Sequence, residues 1–422
     1  MYIRSNILNS TGIKELFVLL IMSTTGYFTC ALSLTRLTTS PIYSVCEHTD
    51  SLSHEPIIQT GAERIEKYIG LLKNKRVGLV VNQTAIIGRT HLIDTLRALG
   101  INIKRIFAPE HGFRGTADAG EHVASEMDKK TGIPVVSLYG KNKKPTAEQL
   151  ADLDVIIYDI QDVGARFYTY ISTMYQLMES CAENKKSLII LDRPNPNGDY
   201  VDGPVLDMSL KSFVGMLPLP VVHGLTVGEL AQMINGEKWL KDSLYCSVTI
   251  IPVAGYTHLS EYILPVKPSP NLPNQQAIRL YPSLCFFEGT NVSVGRGTLY
   301  PFQVIGSPYI KDTLFYFIPD SIAGMAKDPM YRKQKCYGYD LRNKPYTRSI
   351  NLDYIITMYQ LTTNKEAYFG TNNFFDKLAG TTQMKKQIIS GLSENSIRET
   401  WKTNLSSYKI KRKKYLLYPD FE

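Results

Sequence analysis

No two cysteines in this chain form a CxxC pair, and its six cysteines, at positions 30, 46, 181, 246, 285 and 336, lie far apart. That spacing argues against a zinc–thiolate centre. Loss of Cys30 with an export signal would leave an odd number, which argues against a complete disulfide framework, so the cysteines read as small core residues. No GxGxxG follows the first strand pattern, which removes the dinucleotide fingerprint, and the absence of GxxxxGK[ST] removes P-loop nucleotide hydrolysis. GxSxG, the mark of the usual α/β serine hydrolases, is missing too. Neither HExxH nor HxxEH occurs, and in "DAGEH" (118–122) Asp118 stands where the second pattern needs a histidine. There is no internal repeat. The one dense basic run, "KIKRKK" (409–414), has no stacking aromatics or nucleic-acid motif beside it, so it reads as a solvated face and no nucleic-acid partner is expected.

What is present begins with an export signature. Arg4 and Lys14 precede the short apolar segment "LFVLLIMSTTGYF" (16–28), and small residues follow. This describes a signal peptide over 1–31 with cleavage after Ala31. The apolar segment is too short and too interrupted to predict a membrane span. Thr29 before Cys30 fits a lipobox poorly, so a lipid anchor at Cys30 stays open. A Ser/Thr/Pro-rich spacer over 32–60 comes next. The remaining length predicts two domains, a catalytic one over 61–262 and an auxiliary one over 263–422.

From residue 76 strand and helix patterns alternate. "RVGLVVN" (76–82), "IKRIFAPE" (103–110), "IPVVSLYG" (133–140), "DVIIYDI" (154–160) and "SLIILDRPNP" (187–196) read as strands. Helices are expected over 90–100, from Thr146, over 169–186 and over 228–240, with a further strand over 246–253. This order predicts an α/β, Rossmann-like domain built on a mostly parallel sheet, followed by a smaller α+β domain. Asn82, Glu110, Asp159 with Gln161 and Asp162, and Asp192 with Arg193 and Asn195 all fall at or just past the carboxyl end of a strand. In open α/β sheets that edge binds ligands.

"FAPEHGFRGTADAGEH" (107–122) sets Glu110, His111, Arg114 and Glu121 among three glycines. Two carboxylates are the minimum equipment for cleaving a glycosidic bond, one as proton donor and the other as base, nucleophile or cation stabiliser. Neighbouring histidine, arginine and burial can drive two such pKa values apart. The structural alternative is a helix cap or an ion pair with Arg114. In "DIQDVGARFYTY" (159–170), Arg166 offers a fork for a carboxylate, while Tyr168 and Tyr170 offer faces for a sugar; burial, with Asp162 paired to Arg166, is the other reading. "GRGT" (295–298) is either an anion nest around Arg296 or a plain turn. His223 serves a ligand or the fold. "PSPNLP" (268–273) reads as a rigid turn at a domain junction.

These stretches, with "VNQTA", "SLYG", "LDRPNPNG", "DGPVLD", "SFVGM", "HGLT", "GELA" and "EGTNVSVGRGT", follow one another in an order that resembles the exo-β-N-acetylmuramidase NamZ family, formerly DUF1343, from about residue 70 to 310. The resemblance implies an active cleft between a Rossmann-like and an auxiliary domain, and removal of N-acetylmuramic acid from non-reducing ends of peptidoglycan glycans without a cofactor or metal. It carries the family's glutamates onto Glu110, as general acid, and Glu121, as its partner. It also brings Asn271 of "PSPNLP" and Glu288 of "EGTNVSVGRGT" into the substrate-binding set. Muramic acid bears a lactyl carboxylate, for which Arg114, Arg166, Arg193 and Arg296 are candidates, Arg166 first. A periplasmic or outer-surface location in a Gram-negative envelope is expected. Two other readings are a metal-dependent hydrolase using His111, Asp118 and His122, and a non-catalytic cell-wall-sugar binding protein.

Overall fold

In strand β1 (Arg76–Val81) every residue after the first is buried, which a strand needs when helices cover both faces of its sheet. Its side chains alternate between two cores. Val77, Leu79 and Val81 join one with Ile106, Ile157 and Ile189; Val80 joins the other with Phe107, Ile156, Tyr158 and Ile190. The computed structural model describes residues 57–110, 112–113, 126–140, 142–311 and 313–422. The export signal with Ala31 and Cys30, most of the spacer, and His111, Arg114, Asp118, Glu121 and His122 lie outside the described residues.

A short hairpin, β2 (Ile86–Ile87) with β3 (Thr90–His91), follows β1. The main sheet then takes β4 (Asn102–Ala108), β5 (Glu126–Met127), β6 (Pro134–Ser137), β7 (Val155–Asp159), β8 (Ser187–Leu191) and β9 (Val248–Ile251) in the order β5-β6-β4-β1-β7-β8-β9. All neighbours pair in parallel except β5 on β6. Chain order runs outward from β1 to β4 and β6, then returns to β7 on the other side. This is the doubly wound arrangement, with its switch point between β1 and β7.

Helix α1 (Ile65–Leu72) leads into β1, and α2 (Leu92–Ala98), α3 (Ala147–Ala151), α4 (Tyr170–Glu183) and α5 (Val227–Gly236) connect the strands. The predicted starts at Thr146 and near 227 are real caps: Thr146 with Gln149, and Thr226 with Glu229, each form a reciprocal capping box, which satisfies two orphan donors at once.

A smaller C-terminal region follows, beginning with α6 (Gln275–Leu284). It holds an antiparallel sheet of β10 (Val304–Ser307), β11 (Phe315–Phe317) and β12 (Cys336–Asp340), ordered β10-β12-β11. Helices α7 (Asp353–Leu361), α8 (Phe374–Ala379), α9 (Gln383–Ile389), α10 (Glu394–Glu399) and α11 (Lys402–Arg412) close the chain. Its core runs without a break into that of the first region, through Phe286, Phe302, Tyr368 and Phe375, and the described residues pack as one unit. No helix among the described residues is long and apolar enough to cross a membrane.

The four described cysteines, Cys181, Cys246, Cys285 and Cys336, are buried and free, as core residues should be. The basic run near the C-terminus corrects the sequence reading. Arg412 is fully buried, its Nε donating to Gly224 O at 2.9 Å and its Nη atoms to the Asp420 carboxylate at 2.8 and 2.7 Å. The run is therefore a solvated face only in part, with Arg412 pinning the tail onto the first region.

Candidate active site

Loops leaving the carboxyl ends of β4, β6 and β7 form one wall of a cavity of about 560 Å³, and residues from the C-terminal region form the other. That is a volume typical of small-molecule sites. Glu110 stands two residues past β4 and lines it, with Tyr139 just past β6 and the 167–170 segment past β7. The Thr169 hydroxyl donates to Glu110 Oε2 at 3.4 Å. The Tyr139 phenol has its pKa pushed up to about 12, first by burial and then by the Glu110 carboxylate it hydrogen-bonds. The two walls are rich in aromatic groups: Phe167, Tyr168, Tyr170 and Phe213 on one, Tyr281, Phe302 and Phe374 on the other. Tyr168 packs edge-on against Tyr170 and Tyr281, at 4.9 and 5.8 Å between ring centroids, so burial and cavity lining are both true of it.

Of the residues proposed from the sequence, Glu110, Tyr168, Tyr170, Asn271, Glu288 and Arg296 share this cavity. Asn271 Nδ2 donates to Met325 O at 2.9 Å, while its buried Oδ1 has no partner among the described residues. The "GRGT" stretch is a turn: Gly295 and Gly297 take φ of 79° and 81°, conformations open to glycine, and Thr298 N donates to Gly295 O at 3.1 Å. It delivers Arg296 to Glu288 at 2.6 Å.

The other described candidates are not brought to the cavity, and each has a structural occupation that the strand-end rule cannot distinguish from a ligand role. Arg166 is 0% exposed; its Nη1 donates to Pro204 O and Leu219 O, and its Nη2 to Leu378 O. It holds α8 to the first region and has neither a carboxylate partner nor room for one, and burial pushes its pKa down to about 9. Asp159 and Arg193 pair with each other at 2.5 and 2.9 Å, both buried. Asp192 accepts from Thr226 Oγ1, Gly228 N and the Tyr418 hydroxyl at 2.7, 2.8 and 2.6 Å, stitching the start of α5 and the C-terminus to β8.

Gln161 Nε2 donates to Asp162 O and Pro194 O. Asn195 Nδ2 donates to Leu225 O, and its Oδ1 accepts from Asn197 N. Asn82 Oδ1 accepts from Thr84 N and Oγ1. His223 Nδ1 accepts from Leu225 N. Together these side chains form a buried polar layer that shapes the loops.

Within that layer Asp162 Oδ1 and His223 Nε2 are buried without hydrogen-bond partners among the described residues, and the ring nitrogen lies 3.9 Å from Asp162 Oδ2. Burial raises the Asp162 pKa to about 7 and lowers that of His223 to about 3. The two oppose each other in pH-dependent stability. Asp162, raised above its unfolded value, contributes most below about pH 4 and loses that contribution as pH rises to about 7. His223, depressed below its unfolded value, contributes above about pH 6.5 and loses it as pH falls. Asp162→Asn, which abolishes only the first effect, is expected to gain stability over the parent between pH 4 and pH 7 and hold the gain above. Denaturant midpoints across that range measure it, and a difference that does not vary with pH would contradict it.

Residues not anticipated include Tyr139, Lys143, Thr169, Phe213, Ser269, Tyr281, Phe302 and Phe374. Tyr139 obeys the same strand-end rule that picked out Glu110. Tyr281 and Phe374 carry no local signal, because they reach the cavity only through the packing of α6 and the start of α8.

An α/β fold with a carboxylate in an aromatic-lined cleft, at the carboxyl edge of its sheet, is the architecture of a carbohydrate-active hydrolase. A family model described as exo-β-N-acetylmuramidase NamZ, N-terminal, matches residues 77–276, and its C-terminal counterpart matches 279–418. The chain belongs to the NamZ family. A curated relative, the peptidoglycan β-N-acetylmuramidase NamZ of Bacillus subtilis (strain 168), is 38% identical over 388 residues, 86% of this chain and 92% of the relative. Two crystal structures of DUF1343 family proteins from Bacteroides fragilis NCTC 9343 share the fold. One has a TM-score of 0.80 at 48% identity, the other 0.73 at 28%, each over 86% of this chain and 99% of its own.

Proposed function

We propose that this protein is an exo-acting glycoside hydrolase that releases N-acetylmuramic acid from the non-reducing ends of peptidoglycan fragments, with Glu110 as the proton donor. The observation that carries this reading is the Glu110 carboxylate on the wall of an aromatic-lined cavity, in a chain whose family model is that of the exo-β-N-acetylmuramidases. Aromatic faces suit sugar rings, which present apolar C–H patches between their hydroxyls. Asn271 Oδ1, buried and unpaired, is an acceptor suited to the N–H of an acetamido group. Glu121 is the proposed partner carboxylate, and its separation from Glu110 sets retention or inversion. The basic, apolar and small-residue order of the first 31 residues supports export to the cell envelope, where the substrate lies, with lipid attachment at Cys30 as the variant form of that proposal.

The test uses glycan fragments ending in N-acetylmuramic acid or in N-acetylglucosamine. The expected product is free N-acetylmuramic acid from the first set alone, at a rate unchanged by EDTA and dialysis. Loss of activity on chelation, restored by a divalent metal, would instead support the metal-dependent reading through His111, Asp118 and His122. Binding of both sets without any product would support the non-catalytic one.

A further inference from the structure

Among the described residues one arginine lines the cavity, and its guanidinium is paired along one edge only. Arg296 Nε and Nη2 both donate to the same oxygen of Glu288, Oε1, at 2.8 and 2.6 Å. That occupies the Nε/Nη2 edge of the guanidinium and leaves Nη1 without a partner among the described residues. The remaining edge, Nη1 with Nη2, has the spacing of a carboxylate's two oxygens. The guanidinium carbon sits 5.2 Å from the centroid of the Phe302 ring. With one edge tied and one face covered, little rotamer freedom is left to lose when an anion binds.

The other cation that lines the cavity among the described residues, Lys143, lies over Phe213 at 4.2 Å from the ring centroid. It is a point charge on a flexible stem, without a second group to fix its direction. Arg166 and Arg193, the other described candidates, are consumed by backbone carbonyls and by Asp159.

We infer that Arg296, held by Glu288, is the receptor for the lactyl carboxylate and so the residue that selects muramic acid over glucosamine. This rests on the exo-muramidase reading and adds the source of its selectivity. Glu288 has a defined part in it. Its ion pair keeps the arginine from standing as an isolated charge, so a neutral sugar meets the pair intact and loses only the hydrogen bonds that the lactyl group would have made. Charge-assisted hydrogen bonds of that kind are worth about 10- to 100-fold in affinity.

The experiment measures calorimetric affinities for N-acetylmuramic acid and for its lactyl amide, which keeps the shape and removes the charge. The proteins are the parent, Arg296→Gln, Arg296→Lys, Lys143→Met and the double variant Arg296→Gln/Glu288→Gln, which leaves no orphaned carboxylate if the single change unfolds. The parent and Lys143→Met are expected to prefer the acid by about 10- to 100-fold, Arg296→Lys by less, and the glutamine variants not at all, with amide binding held within about threefold of the parent. A glutamine variant that keeps the preference, or a Lys143→Met that loses it, overturns the assignment. Turnover of a chromogenic N-acetylmuramic acid glycoside by the parent is scored separately. If the parent hydrolyses it while the preference survives without Arg296, only this inference fails. If the parent neither hydrolyses it nor binds the sugar, the functional reading itself fails.

Discussion

Glu110→Gln is expected to lower kcat on a muramic acid glycoside by about 10² to 10⁴-fold, the usual contribution of a positioned proton donor. The amide is nearly isosteric and keeps an acceptor for the Thr169 hydroxyl, which lies 3.4 Å from Glu110 Oε2, so folding and substrate affinity should change little. The diagnostic comparison is leaving-group dependence. A dinitrophenyl glycoside departs without protonation, so the variant should recover most of its turnover there, while a disaccharide or methyl glycoside should stay slow. A loss that ignores the leaving group would reassign Glu110 as base or nucleophile. Near-full turnover in Glu110→Gln, with none in Glu121→Gln, would move the acid role to Glu121.

Asp159→Ala should be the most damaging single change to stability. The Asp159 and Arg193 side chains are 0% and 2% exposed, and among the described residues the only other hydrogen-bond partner of the guanidinium is Ile86 O, at 3.2 Å. Removing the carboxylate strands a guanidinium in the interior, at a cost of about 3–5 kcal/mol. The double replacement Asp159→Leu/Arg193→Met removes both charges and should recover most of that loss, because a buried pair costs nearly as much to desolvate as it returns. Urea midpoints of the two variants decide the matter. If Asp159→Ala instead kept its midpoint and raised KM, Asp159 would be a substrate ligand, as its place at a strand end suggests.

The contrast between Glu110 and Asp159 shows how far the strand-end rule reaches. Both sit at the carboxyl end of a strand, Asp159 as the last residue of β7 and Glu110 two residues past β4, and by pattern they are equivalent. Glu110 opens onto a cavity, whereas Asp159 meets Arg193 from the loop just past the next strand, β8. The difference lies in a contact 34 residues away, which periodicity does not encode. Arg166 makes the same point more strongly: its fork looked ready for a carboxylate, yet its partner Leu378 is 212 residues distant. Asn271, Glu288 and Arg296, which entered through their motifs, do share the cavity with Glu110.

Local chemistry carried the elements. Continuous apolar runs made parallel strands, threonine with a glutamine or glutamate three residues on made helix starts, and the alternation of the two made a doubly wound sheet, because each of those signals acts within a turn or two of the chain. Which charged groups ended up facing ligand, and which facing each other, was settled by long-range packing. Burial obliges every polar group to find a partner, and where the partner comes from a distant segment only the folded chain can supply it.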